Sequence, residues 1–312
     1  MTQKLPKLVA TSVIRGSRQG ESEGGVFKVN FENQAIEQLM DWNTSEIDFE
    51  GHSGDRGLRG IALAEEDIYI ASSDVLFRCD RGFEIKTFSR NHYLDDCHEI
   101  CRYEQTIFLT SPGFDSLLAF DIESKKFTWG YHLQRQYDQW AGHTFDPRLD
   151  TGPVRVNEYD INMVHVDGTG IYFSGSRTQA LLHLDNQMEV SEVCSLPSGA
   201  HNARPFRDGL LFNDTNNDCV RYVGRQGKNF AFKVPAFHAK DLQSIGMDDS
   251  GLVRQGFGRG LCLVGERFVA AGSSPSTISL YDLKSGLKVA SVNLSMDVRS
   301  AIHGLEQWTF DG

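Results

Sequence analysis

Long apolar runs are missing from this chain: none approaches the ~18 residues that a membrane-spanning helix needs. Its first residues, MTQKLPKLVATSVIRG, lack the apolar stretch of a secretory leader, so a cytoplasmic location is the expectation. Positive charge is not in excess either. The formal net charge is −11, which disfavours nonspecific attraction to nucleic acid or to an anionic membrane, and neither is expected as a partner. No CxxC occurs, and the spacing of Cys97 and Cys101 matches no common zinc knuckle. All six cysteines (Cys79, Cys97, Cys101, Cys194, Cys219, Cys262) read as reduced packing residues among apolar neighbours. The Gly-rich stretch GHSGDRG, with His52, Asp55 and Arg56, is no phosphate loop, because no Lys-Ser/Thr follows it. What is present is 312 residues of ordinary globular composition, 40% hydrophobic.

The stretch FGRGLCLVGERFVAAGSSPSTISLYD (257–282) holds a unit that recurs: an apolar strand, a Gly-Glu turn, a second strand, a polar loop and a third strand ending in Asp282. Six second strands can be laid out: LVATS, IYIAS, IFLTS, IYFSG, LLFND and FVAAG. Six third strands follow, ending at Asn30, Asp80, Asp121, Asp185, Gly224 and Asp282, the residue types a tight hairpin needs. Fourth strands are AIEQLM, FEIKTF, FTWGYHL, MEVSEV, NFAFKV and LKVASV. Four-stranded units of about 40 residues with helix-poor connections define an all-β fold, a β-propeller of six blades.

First strands complete the pattern. Five precede their own blade: GLRGIAL, CHEICRY, INMVHVD, AHNARPF and GRGLCLV. The sixth, AIHGLEQW, lies near the C-terminus and supplies the strand that the N-terminal blade lacks, closing the ring. A single domain over 1–312 is expected, with four strands per blade and insertions near 134–157 and 235–255. Loops of that length act as lids, partner contacts or plain surface insertions. The first carries Tyr137, Trp140, His143 and Phe145, an aromatic load suited to packing.

Aligned on the residue before the apolar segment, the first strands read His303, Arg59, His98, Asn162, His201 and Arg259 in blade order. Innermost strands of a propeller face its axis, so six polar side chains are expected to converge on one channel. The histidines come from alternate blades. Three imidazoles can hold Zn²⁺, Mn²⁺, Fe²⁺ or Cu²⁺, zinc foremost, and leave a position open for water or substrate. Arg59 and Arg259, with Asn162, would grip an anionic substrate by forked hydrogen bonds. Without a metal, the same ring is a wet polar channel or an anion site. A register shifted in blades four and five would bring Tyr159 and Asp160, or Asn202 and Arg204, to the axis. Glu99, Tyr159, Asp160 and Glu306 stand near the channel position as acids or bases, or as strand-end hydrogen-bonders. The loops 111–115, 174–177 and 213–218 should rim the same face; the last could offer oxygen ligands to Ca²⁺ or be a polar turn.

The RG-L-x-hydrophobic strand in GFGRGLCLVGERFVAAG, the H-x-x-R-P segment at His201, Arg204 and Pro205, and the closing strand resemble a family of uncharacterised propellers. That likeness implies a fold and no activity. The axial pattern is also similar to the lyase domain of peptidylglycine amidating enzymes, a six-bladed propeller whose axial zinc is held by three histidines. By blade position His98, His201 and His303 match that arrangement; Arg59 and Arg259 match it loosely, and Tyr159 is a candidate for its catalytic tyrosine. Some polysaccharide lyases on propellers use axial histidine-bound metals as well. The expectation is a metal-dependent enzyme of lyase or related proton-abstracting type on a small anionic substrate, with Arg59, Arg259 and Tyr159 catalytic. The alternative is a propeller that binds an anionic small molecule or peptide end without chemistry.

Overall fold

The computed structural model describes residues 5–17, 21–43, 57–246 and 253–310. Its strands form six antiparallel sheets, and their innermost strands touch one another in order around a closed ring. Those inner strands are Ser300–Gln307 in blade one, Ile61–Ala64 in two, Ile100–Tyr103 in three, Ile161–Asp167 in four, Ala200–Phe206 in five and Gly258–Val264 in six. The chain starts on Lys7–Ile14 and ends on Ser300–Gln307, which pair with each other inside blade one, as the sequence implied.

Alternation and burial explain the layering. Each gap between neighbouring blades holds its own apolar cluster, and six such clusters together are the core. Leu8, Ala10, Ile302 and Leu305 of blade one pack on Ala270, Ile278 and Leu280 of blade six. Tyr131 and Leu133 of blade three meet Ile161 and Phe173 of blade four in the same way. Outermost strands such as Ala35–Asp41 and Val190–Ser195 are mostly exposed, which accounts for their weak apolar patterning.

Blade three departs from the four-strand expectation. Its outer strand runs long, Lys126–Gln136, turns at Tyr137 and Asp138, and returns as a fifth strand, Gln139–Phe145. Much of the first insertion is therefore sheet. The rest folds back over the blade two–three junction: Phe145 packs edge-on against Tyr93 at 5.0 Å. The Tyr93 hydroxyl donates to the Leu149 carbonyl at 3.0 Å, and Arg155 pairs with Asp95 at 2.7 Å. The second insertion holds a short 3-10 turn, Ala239–Asp241, and bridges Asp297 through Gln243. Residues 247–252 of it, like His52, Asp55 and Arg56, lie outside the described residues.

Candidate functional site: a cationic compartment on the propeller axis

Irregularities in the inner strands turn side chains toward the axis. Bulges fall at Asn162 in blade four, at Asn202–Ala203 in five, at Gly260 in six and at His303–Gly304 in one. Such bulges interrupt pairing and re-aim side chains. Arg59 and His98 sit two residues ahead of their strands rather than at the first position.

The channel is divided into two compartments. The near one has a volume of about 790 Å³ and includes Arg59, His98, His201 and Arg259 in its wall. His303 lines the far compartment, of about 540 Å³, yet it contacts its neighbours across the boundary. Its ring stacks on that of His98 with centroids 5.9 Å apart, and Arg259 Nη1 donates to its Nε2 at 3.3 Å. Asn162 is buried and lines neither compartment; its amide oxygen and nitrogen both lack a hydrogen-bond partner among the described residues. Tyr159 belongs to the core, edge-on to Trp140 at 5.4 Å. Its neighbour Asp160 lines the compartment instead, turned there by a left-handed backbone at φ 52°. Of the two neighbouring candidates, Asp160 and not Tyr159 is the one that lines the compartment. Of the loops expected at the rim, Ser176, Arg177, Thr215 and Asn216 are there, whereas 111–115 is not. The 213–218 loop is a polar turn, with Asp214 bonded to Arg221 and Asn217.

Charge is the dominant feature of the near compartment. Among the described residues five arginines line it (Arg15, Arg59, Arg177, Arg259, Arg299) against two aspartates, Asp96 and Asp160. Arg59 is answered by Asp96 at 2.6 Å, and Arg299 by Asp297 at 2.7 Å. Arg259 has no carboxylate partner among the described residues, and its Nε is buried without a bond. Phe257 is the hub: Arg259 lies over its ring at 5.2 Å, Arg15 at 4.7 Å and Arg254 at 5.6 Å, with His201 beside it at 5.6 Å.

The ionisation of these groups follows. Burial, with Arg15 and Arg59 close by, pulls Arg259 down to about 9. Burial lowers His98 to about 4, Asp96 opposing and Arg59 and Arg259 assisting. His201 and His303 are pushed well below the usual imidazole range by burial and by Arg259. Burial would raise Asp96, but Arg59, His98 and Arg259 hold it at about 2. Near neutral pH the compartment therefore contains neutral imidazoles among cationic guanidiniums.

That donor set does not fit a metal cation. Among the described residues no group of three or more His, Cys, Asp or Glu side chains is arranged to hold one. The His303 Nε2 lone pair is taken by the Arg259 guanidinium at 3.3 Å.

The far compartment has the opposite character. Glu99 and Glu306 line it with Arg204 and His165. Glu99 accepts from Asn202 Nδ2 at 2.9 Å and from Arg204 at 3.4 Å. Burial raises both carboxyls to about 7, Arg204 opposing in each case. Reading the first strands for their leading residue alone missed Arg15, Asp96 and Phe257. Asp96 and Phe257 precede inner strands, and Arg15 follows Lys7–Ile14. An Arg directly after an apolar strand was the available signal.

Fold and site together define a six-bladed β-propeller with a cationic axial compartment. No family model matches the chain, and no curated protein does. Solved structures match along nearly its whole length. A chain of a nidogen/laminin complex is 11% identical, with 97% of this chain and 98% of that one covered and a TM-score of 0.59. A protein of unknown function from Bacteroides caccae is 9% identical over the same shares, with a TM-score of 0.58. A catalytically inactive histidine-to-alanine variant of virginiamycin B lyase from Staphylococcus aureus, solved with quinupristin, is 10% identical over 96% of each chain, TM-score 0.54. These likenesses are of fold.

Proposed function

We propose that this chain binds a small molecule through an anionic group, carboxylate or phosphate, in the near compartment. The observation that carries the reading is Arg259: a buried guanidinium in a cationic compartment that forms no ion pair with a carboxylate among the described residues, Asp96 and Asp160 acting on it only from a distance. A bound anion supplies a countercharge at contact distance, and the planar guanidinium edge suits a forked contact. Arg59 gives less, because Asp96 and two carbonyls already occupy its Nη1. Calorimetric titration with inorganic phosphate, acetate and succinate, and with tetramethylammonium as a control, tests the reading. Binding of at least one anion, lost in Arg259→Met, is expected; uniform silence across the anions sinks it.

A second reading, proton-abstracting lyase chemistry, is favoured by His98. It lines the compartment, its Nδ1 is buried without a partner among the described residues, and its ring is neutral. Burial is the main reason His98 is low, with Arg59 and Arg259 adding to it; an anion beside Arg259 would offset the arginine share and so raise the basicity of the ring. The arginines would then stabilise the charge that develops as a proton leaves the carbon next to a carboxylate. Virginiamycin B lyase, similar in fold, is inactive as a histidine-to-alanine variant. We place the protein in the cytoplasm as part of this proposal; its six cysteines are all free.

A further inference from the structure

We propose that blade five is the frame that aims Arg259, with Asn213 and Thr215 as positioning residues. The inference rests on the anion reading for its purpose, but its geometry is independent of any ligand. Arg259 sits directly before the bulge residue Gly260, whose φ is +74°. The left-handed conformation leaves the backbone direction there to be fixed by its surroundings. Side chains of blade five hold three carbonyls that bracket Arg259. Thr215 Oγ1 donates to Gly258 O at 2.9 Å, Asn213 Nδ2 to Gly260 O at 3.3 Å, and Arg204 Nη2 to Leu261 O at 2.7 Å.

The frame is braced from behind. Asn213 Nδ2 also donates to Asn202 Oδ1 at 2.8 Å, and Asn202 Nδ2 donates to Glu99 Oε2 at 2.9 Å. Blades three, five and six are thereby tied together across the axis. Asn213 is fully buried and does not line the near compartment, so it acts on a ligand only through the strand it holds. His201 acquires a role of the same kind. Because Thr215 gives its hydroxyl proton to Gly258, its oxygen must accept from His201 Nδ1–H, which fixes the ring tautomer. Arg259 itself is otherwise held by Phe257 and by His303 Nε2, neither of which supplies a countercharge. A planar guanidinium grips an anion well only when its edge points the right way.

The test compares Thr215→Val, which removes the hydroxyl at constant shape, with Thr215→Ser, which keeps it, and adds Asn213→Ala. Affinity for inorganic phosphate should fall about tenfold in Thr215→Val and in Asn213→Ala, the weight of one buried hydrogen bond. Thr215→Ser should restore wild-type affinity. A ligand-free readout separates this inference from the anion reading: the Arg259 Nε–Hε NMR resonance, assigned by its loss in Arg259→Lys. It should be sharp and slowly exchanging in wild type and Thr215→Ser, and solvent-averaged in Thr215→Val. Unchanged phosphate affinity in Thr215→Val overturns the positioning role while leaving the anion site intact. Where phosphate does not bind at all, the resonance alone decides, and an identical signal in wild type and Thr215→Val overturns the inference. Should Asn213→Ala fail to fold, the valine–serine pair still decides.

Discussion

Replacing Arg259 by methionine should make the ligand-free protein more stable and blind to anions. In the fold, burial and the neighbouring arginines depress this guanidinium to about 9. The sign follows from linkage: a base whose folded value lies below its unfolded one is disfavoured in its charged form, so the charge costs stability at all pH values below about 9. The displacement corresponds to at most a few kcal/mol, and neutralising buried charges by apolar groups has given about 1–4 kcal/mol. Methionine keeps contact with Phe257 but forfeits a cation–π interaction worth about 0.5–1 kcal/mol. The net expectation is a gain of about 1–2 kcal/mol at pH 7 in buffer without multivalent anions. Urea unfolding reads the gain, and repeating it with phosphate reads the function, since a ligand that binds only the folded state stabilises it by mass action. Wild type should gain stability with phosphate and the variant should not. An Arg259→Met protein that is less stable than wild type without anions, or that phosphate still stabilises, would falsify the reasoning.

Three further outcomes follow from other parts of the fold. Glu306 has a folded value near 7, so its contribution to stability is present in acid and is lost as pH rises from its unfolded range through 7; Glu306→Gln should gain on wild type between pH 5 and 8, and parallel urea curves across that range contradict the assignment. A Cβ on Gly304 would lie 2.5 Å from the Arg59 carbonyl and 2.7 Å from Thr11 Oγ1, so Gly304→Ala should cost about 1–3 kcal/mol and disturb ring closure, read by thermal unfolding; an unchanged midpoint speaks against so close an approach of the closing strand to Arg59 and Thr11. Elemental analysis of purified protein should find no stoichiometric divalent metal, and chelator should leave anion affinity unchanged; one equivalent that disappears in a His98→Ala/His201→Ala protein restores the metal-centred reading.

Strand order and ring closure were legible because period-two apolar runs bounded by Asn, Asp and Gly repeat in every blade, and because AIHGLEQW had no blade of its own. The fifth strand of blade three was not, since QWAGHTF is largely solvent-facing and carries little alternation. Within the site, His98, Arg59, His201 and Arg259 were placed together by alignment, as the structure has them. The register did not reveal what each ring nitrogen faces. Local backbone geometry decides that: a bulge turns His303 onto Arg259, and a left-handed backbone at Asp160 lets it rather than Tyr159 line the compartment. Arg15 and Phe257 lie outside the segments that were compared, so the excess of positive charge was visible only once the ring was closed.

The most direct measurement is the position of an anion in crystals grown with selenate, located by its anomalous signal. The account predicts a peak within hydrogen-bond reach of Arg259 in the near compartment, absent in Arg259→Met. Selenate confined to the outer surface, or a metal signal among His98, His201 and His303 in its place, would contradict it.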